Sequence, residues 1–413
     1  MPLRKVLFWL HLACGCLAGV IILAMSLTGV LLTYERQILA AWERGAYRAP
    51  TPANAARLPV DRLLDAIRRE RGDLPADATL TQRSDPAEPV EIRIGRERAI
   101  YASPYSGHVL GEGAAGGARV LFQKVTAWHR WLGVEGTGRA TARAITGACN
   151  LFFLVLVVSG AYLWLPRRWS WPAVRSVIWF RGAATGKARD FNWHNVFGVW
   201  ALIPVFFVVL SAVPMSYSWA NDLLYRLSGS EPPPPLRGEG GPGGPGGERR
   251  GPRGKREQSA APDAAVDLNQ LWRRAQIPVP AWKSITARVA VSRGESVTFT
   301  IDAGDGGQPQ KRSTLTLDAA SARMVKFETF ASASPGRRLR SWSRFVHTGE
   351  YYGMVGQTIA GIASLAGVML VWTGIALALR RFVAWRSRGR DTPASADQQA
   401  PVGVGPASGG RLL

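Results

Sequence analysis

Histidine is scarce in this sequence: five in 413 residues, at positions 11, 108, 129, 194 and 347. His194 opens the stretch FNWHNVFGVWALIPVFFVVLSAV (191–213), and His11 lies near the start of another apolar run. An ionisable side chain at membrane depth is costly and is a functional candidate by default. Imidazole carries protons at neutral pH and is the commonest side-chain metal ligand. What these residues can do depends on which of them meet.

The elements that must position them are four apolar runs, residues 6–33, 144–165, 196–217 and 355–379. Each reaches the about 20 helical residues that cross a hydrocarbon core. The first exceeds the about 7–15 residues of a signal-peptide core, and no clear A-x-A site follows, so it reads as a retained anchor. Basic residues flank the runs unevenly. Arg4 and Lys5 precede the first. Arg167, Arg168, Arg175, Arg181, Lys187 and Arg189, against Asp190 alone, fill the short connection between the second and third. Arg380, Arg381, Arg386, Arg388 and Arg390 follow the fourth. By the positive-inside rule these three segments and both termini face the cytoplasm. The net charge of +22 points to anionic lipid or acidic ligands, and its dispersal over a membrane protein argues against nucleic acid.

The chain reads as a duplication. The first and third runs align without a gap at an offset of 183, setting His11 on His194, Gly15 on Gly198, Val30 on Val213 and Tyr34 on Tyr217. Each begins H-x-x-x-G, and the small residue at i+4 leaves room on the histidine's own side of the helix for a flat group or a closely packed helix. The second and fourth runs each follow a histidine-bearing amphipathic segment and a glycine turn, AWHRWLGVEGTGRATARAITG (127–147) and SRFVHTGEYYGMVGQTIAG (343–361). The outer connections repeat too. Residues 60–71 and 266–275 read as short amphipathic helices, followed by PVEIRIG and RAIYASPYSGHVLG in one case and ITARVAV, SVTFTID and STLTLDAASARMVKF in the other. Their alternation is that of half-buried strands.

The expected fold is therefore an α-helical integral membrane protein, internally duplicated, with four transmembrane helices and two small α+β modules on the outer side. In order the segments are helix 1 (1–33), module 1 (34–118), a histidine-bearing helix with helix 2 (119–165), a basic cytoplasmic loop (166–192), helix 3 (193–217), a tether with module 2 (218–340), helix 4 with its histidine segment (341–381) and a tail (382–413). The tether, 231–258, is too rich in Pro, Gly and charge to bury a core and reads as disordered, as does the tail after Arg390. Its GEGGPGG lacks the flanking strand and helix of a dinucleotide turn.

Duplication sorts four histidines by depth: His11 and His194 near the cytoplasmic face, His129 and His347 at the outer ends of helices 2 and 4. Two imidazoles are what a six-coordinate haem iron takes axially, and facing helices with one histidine each build cofactor sites in bundles. His11 with His194, and His129 with His347, are thus candidate ligands of two haems. No C-x-x-C-H occurs, which argues against covalent haem attachment, and Cys14, Cys16 and Cys149 read as inert thiols. Trp9, Trp128, Trp193 and Trp342 lie within five residues of the four histidines, and Lys5, Arg189, Arg130, Arg143 and Arg344 suit propionates. Other readings fit the same residues: polar helix–helix contacts for the histidines, an interfacial belt for Trp and Arg. Zinc or copper would want ligands clustered within a few Å. Met354 is an alternative axial ligand, and His108, aligned with Arg323 in an exposed turn, stays outside the site. No nucleophile or general-base constellation is evident. The inner loop RRWSWPAVRSVIWFRG reads as an amphipathic segment on anionic lipid that an electron donor can also meet.

The order of these motifs resembles the PepSY-associated transmembrane family over most of residues 1–385. The matching pieces are H-x-x-x-G with S-L-T-G-V in the first run, YSGHVLGEG, WHRWL, WHNVFG and FVHTGEYYG. The resemblance implies PepSY-type periplasmic modules. In members that are inner-membrane ferric-siderophore reductases of bacteria, it also implies two b-type haems carrying electrons from a cytoplasmic or quinol donor to a periplasmic ferric chelate. His108 stands where the family usually has an acidic residue. Two other functions stay open: a haem-free PepSY scaffold or regulator binding a periplasmic peptide or protein, and a cytochrome serving another acceptor.

Overall fold

The computed structural model describes residues 2–48, 56–95, 98–113, 116–166, 169–234, 266–292 and 294–388. Arg167 and Arg168, residues 235–258 of the expected tether and the tail beyond 388 lie outside this set. Along the chain, α1 (Pro2–Leu32) leads into α2 (Glu35–Ala46), then α3 (Val60–Arg71) and strands β1 (Thr79–Arg83), β2 (Val90–Ile94), β3 (Arg98–Ala102) and β4 (Val109–Glu112). Next come α4 (Gly116–Trp131), α5 (Arg139–Trp164), α6 (Trp171–Ile178), α7 (Gly186–Ser216) and α8 (Ser218–Leu227). The rest is α9 (Leu268–Gln276), β5 (Ser284–Arg288), β6 (Ser296–Asp302), β7 (Arg312–Asp318), β8 (Met324–Thr329), α10 (Pro335–His347) and α11 (Gly353–Arg388).

Helices α1, α5, α7 and α11 are long and apolar enough to cross a membrane, with mean hydropathy of 2.0 to 2.5 in their best windows. Leu17 and Ile203 are 73% and 69% exposed in the middle of such helices, an arrangement that lipid stabilises and water does not. The chain is a helical membrane protein. Helix α1 packs on α5 and α11, and α7 on the same two, so α1 and α7 face each other across a four-helix square. Small residues bring the helices close. A methyl on Gly19 would meet Val371 and Ile375, and one on either glycine of H-x-x-x-G, Gly15 or Gly198, would stand 3.8 or 3.7 Å from Leu156 or Leu370.

Helix boundaries differ from expectation in two places. α7 starts at Gly186, seven residues inside the expected loop, and α11 runs to Arg388 rather than ending at 381. A helix that has left hydrocarbon keeps its backbone bonds in water when its residues are polar, so hydropathy alone marks the span and not the helix. The amphipathic α6 forms within the inner loop.

The eight strands make one antiparallel sheet in the order β4-β3-β2-β1-β5-β6-β7-β8. Each expected module supplies a helix and four strands, but the two are not separate. β1 pairs with β5 from Thr79↔Arg288 to Arg83↔Ser284, and α3 and α9 bury Leu64, Ile67, Leu271 and Trp272 in one core with Leu80, Ile285, Phe299 and Leu315. Asn269 on α9 donates to Asp61 on α3, closing the same joint. The central strand β1 was not foreseen, because TLTQR buries only Leu80 and shows no alternation. Leu80 is fully buried beside the joint. Leu80→Ala should cost about 2–5 kcal/mol and loosen both halves together; hydrogen exchange accelerating in β2 but not in β6 would contradict a shared core.

The sheet sits over one side of the bundle. Arg36 of α2 donates to the Asp305 carbonyl between β6 and β7 at 3.4 Å, Gln310 donates to the Tyr351 carbonyl, and Tyr47, just beyond α2, stacks on Tyr101 of β3 at 4.7 Å.

Candidate functional site

At the end of the bundle away from the sheet, His11 on α1 and His194 on α7 meet across the square with ring centres 6.3 Å apart. Each ring is tied to a neighbouring helix: His11 Nδ1 to Ser159 Oγ at 2.9 Å, His194 Nδ1 to Thr373 Oγ1 at 2.9 Å. Both hydroxyls already donate their proton to a carbonyl one turn back, Ser159 to Val155 at 2.6 Å and Thr373 to Met369 at 2.7 Å. A hydroxyl whose proton is committed can only accept. Both imidazoles therefore carry hydrogen on Nδ1 and keep Nε2 as a lone pair. Glycine makes the room: a methyl on Gly160 would stand 3.3 Å from His11 Cε1, and one on Gly374 3.5 Å from His194 Cε1.

At the sheet side, His129 from the last turn of α4 and His347 from the last turn of α10 have ring centres 6.2 Å apart. His129 Nδ1 donates to the Met25 carbonyl and to Thr28 Oγ1 on α1, each at 3.0 Å. His347 Nδ1 donates to the Val208 carbonyl on α7 at 2.8 Å. A carbonyl only accepts, so these rings too are locked as Nδ1–H. Burial, with His347 nearby, pushes His129 down to about 4, and burial lowers His347 as well; both are neutral at pH 7, the form a metal takes. Fourteen residues separate His11 from Met25 on α1, and fourteen separate His194 from Val208 on α7. At 1.5 Å per residue the two pairs lie about 21 Å apart.

Among the described residues, no hydrogen bond claims any of the four Nε2 atoms. The ring centres of the two pairs stand 6.3 and 6.2 Å apart, so each pair could offer a metal ion two neutral nitrogens. Among the described residues no group of three or more His, Cys, Asp or Glu could hold a metal ion. Two axial donors and no others suit a macrocycle that brings its own four nitrogens. The residues fit haem.

The surrounding residues divide. Arg130, Arg143 and Arg344 lie at the sheet-side pair, with Arg143 donating to the Met215 carbonyl at 3.1 Å. Burial and the neighbouring Arg143, Arg344 and Arg139 pull Arg130 down to about 10, as expected of cations gathered together. At the far end Arg189 is committed to Asp190 and to the face of Trp193. Among the described residues no ring contact joins a tryptophan to the imidazoles: Trp9 lies under Arg381, Trp193 packs edge-on to Phe180 and Phe197, and Trp342 donates to Tyr352. Met354 is half-exposed, and its sulfur accepts from Gln37. His108 bonds Glu70 at an exposed turn.

Sequence reasoning missed Ser159, Gly160, Thr373 and Gly374. The signal was present as S-G and T-G at an offset of 214, the offset that also relates Gly147 to Gly361. It missed Asp190 too, a buried carboxylate one turn before His194 that joins α7 to Arg380 of α11 at 3.2 Å.

The profile of the PepSY-associated TM region matches residues 8–381. The chain belongs to that family. No curated protein matches it. The matched stretch of this PepSY-associated TM protein holds all four paired histidines and every residue that anchors their Nδ1 atoms.

Proposed function

We propose that this PepSY-associated TM protein is a di-haem b-type reductase of the bacterial inner membrane. It would pass electrons from a cytoplasmic or quinol donor to a ferric siderophore in the periplasm. The observation that carries the reading is the two pairs of Nδ1-locked imidazoles, about four helical turns apart on the same two helices. Haem supplies reversible one-electron exchange when bound; the chain supplies everything that positions it. His11 and His194 hold one haem and His129 and His347 the other. Arg143 and Arg344 receive propionates at the sheet side, and the lipid-embedded helices exclude water. Reduction loosens iron from hard-oxygen chelators.

The finer architecture belongs to the same proposal. The Arg and Lys flanks support a cytoplasmic far end and termini and a periplasmic sheet. The PepSY-type halves of the sheet descend from one duplicated unit. In support, Met25 and Val208 stand 183 residues apart, as His11 and His194 do, and Ser159 and Thr373 stand 214 apart. With α6 on anionic lipid, the donor approaches from below.

Ser159→Ala with Thr373→Val removes both hydroxyl anchors and keeps the volume. The far-end haem should then bind about 10–100-fold more weakly, read as loss of one haem on dilution with the sheet-side spectrum unchanged; two equally tight haems would contradict the assigned anchors. The function itself is tested by mixing anaerobic, dithionite-reduced protein, freed of excess reductant, with a ferric siderophore and a ferrous trap. One trapped Fe²⁺ per haem reoxidised is expected. Haem that stays reduced while the chelate stays ferric would overturn the reading.

A further inference from the structure

The two edges of the eight-stranded sheet are finished differently. β4 is short, shifts register against β3 between Tyr101 and Ala102, and lies under Tyr47, whose ring leaves no room for a side chain at Gly111. At the offset of 183 that relates His11 to His194, Tyr47 falls on Ser230. Ser230 instead accepts from the Gly336 N–H of α10 at 2.9 Å, and β8 is left open. Met324 and Val325 are 62% and 61% exposed, and among the described residues no strand pairs with the outer side of β8. Such an edge is a template for another strand.

The groups that β8 offers follow from its hairpin with β7. Asp318 donates to the Arg323 carbonyl. By the alternation of an antiparallel ladder, Thr316 and Thr314 then bond their opposites Lys326 and Glu328, and Phe327 turns its N–H and C=O outward. The Thr329 N–H, of the same parity, goes to Ser332 Oγ at 3.0 Å. Side chains alternate too. Phe327 lies opposite the buried Leu315, on the core face, while Lys326 and Glu328 share the other face and bridge each other at 2.9 Å. In an antiparallel pair of identical strands about a two-fold axis, the central residue fixes the register. Centred on Lys326 or Glu328, like charges meet. Centred on Phe327, each Lys326 lies opposite Glu328 of the other copy, and the two Phe327 residues exchange N–H···O=C bonds. The axis of such a pair stands perpendicular to the sheet. One face of this sheet carries α3 and α9, and the other meets the end of α2 through Tyr101 and Tyr47. The axis therefore runs from sheet to bundle and leaves both copies the same way up in one membrane.

We propose that β8 is a homodimerisation edge, joining two copies of this chain antiparallel about Phe327 into one continuous sheet. Association is measured on the full-length purified protein, by native mass spectrometry in mild detergent and by energy transfer between labelled copies in liposomes. A dimer that dissociates on dilution is expected. Phe327→Pro removes the outward N–H and the ring but no ladder bond to β7, the placement in which an edge strand tolerates proline. It should be monomeric with the circular dichroism of the parent. Lys326→Glu and Glu328→Lys each set like charges across the axis and should weaken association about tenfold. Mixed in equal amounts, these two variants should dimerise again, because opposite charges then meet between chains; mixing repairs no contact within a chain. A parent that stays monomeric at every density would overturn the proposal, as would a dimer unchanged in Phe327→Pro or single variants that stay monomeric when mixed. So would a parent that dimerises only once residues 235–265 are deleted, since the chain's own segment would then be what covers β8.

Discussion

On the di-haem reading, His194→Ala should yield a protein with one haem in place of two. The substitution deletes the α7 donor of the far-end pair and its bond to Thr373, while His11 stays tied to Ser159. Alanine is the best helix former, and Thr373 keeps its own bond to Met369, so the bundle persists. The loss of packing and one hydrogen bond costs about 1–3 kcal/mol. With one axial nitrogen the far-end haem either leaves or turns high-spin, and the low-spin signal halves. Electron flow into the far end should then fail while the sheet-side pair stays intact, because about 21 Å separates the two pairs. Pyridine haemochrome stoichiometry with reduced-minus-oxidised spectra checks this. Two unchanged low-spin haems in the variant would place the far-end ligands elsewhere.

Gly349→Ala should remove the other haem, through the backbone. Gly349 follows α10 with φ 74°, and a methyl there would overlap the carbonyl of Gly356. No rotamer change relieves a clash with main chain. The left-handed conformation costs a non-glycine residue about 1–2 kcal/mol, and separating the two strands of the turn raises the total to about 3 kcal/mol or more. The turn carries His347 onto the Val208 carbonyl, so the sheet-side haem is lost first while the far-end spectrum survives. Gly45→Ala is the control: nothing lies near its Cβ position, and an alanine in helix α2 should leave both haems and slightly raise stability. Retention of the sheet-side haem at parental affinity in Gly349→Ala would show that this turn does not position His347.

The four spanning helices were legible because hydrocarbon imposes length and composition together, and the repeat made the depth of each histidine legible as well. What the rings touch was not. Ser159 and Thr373 read as ordinary small polar residues of apolar helices until their partners on α1 and α7 are known. The carbonyls of Met25 and Val208 carry no side-chain signal at all. The joined sheet was hidden for a different reason. Its centre, β1, pairs on both edges and needs only Leu80 for the core, so its stability comes from neighbours distant in sequence. Glycine turns such as HTGEYYG announced a bend, and only the approach of Gly349 to Gly356 explains why glycine is required there.

The central claim is that the two imidazole pairs hold haem. The most direct measurement is the optical spectrum of the parent protein, expressed with ample haem, oxidised and dithionite-reduced, with pyridine haemochrome per chain. Two low-spin b-type haems per chain are predicted. A colourless protein would contradict the claim and return the four histidines to helix packing.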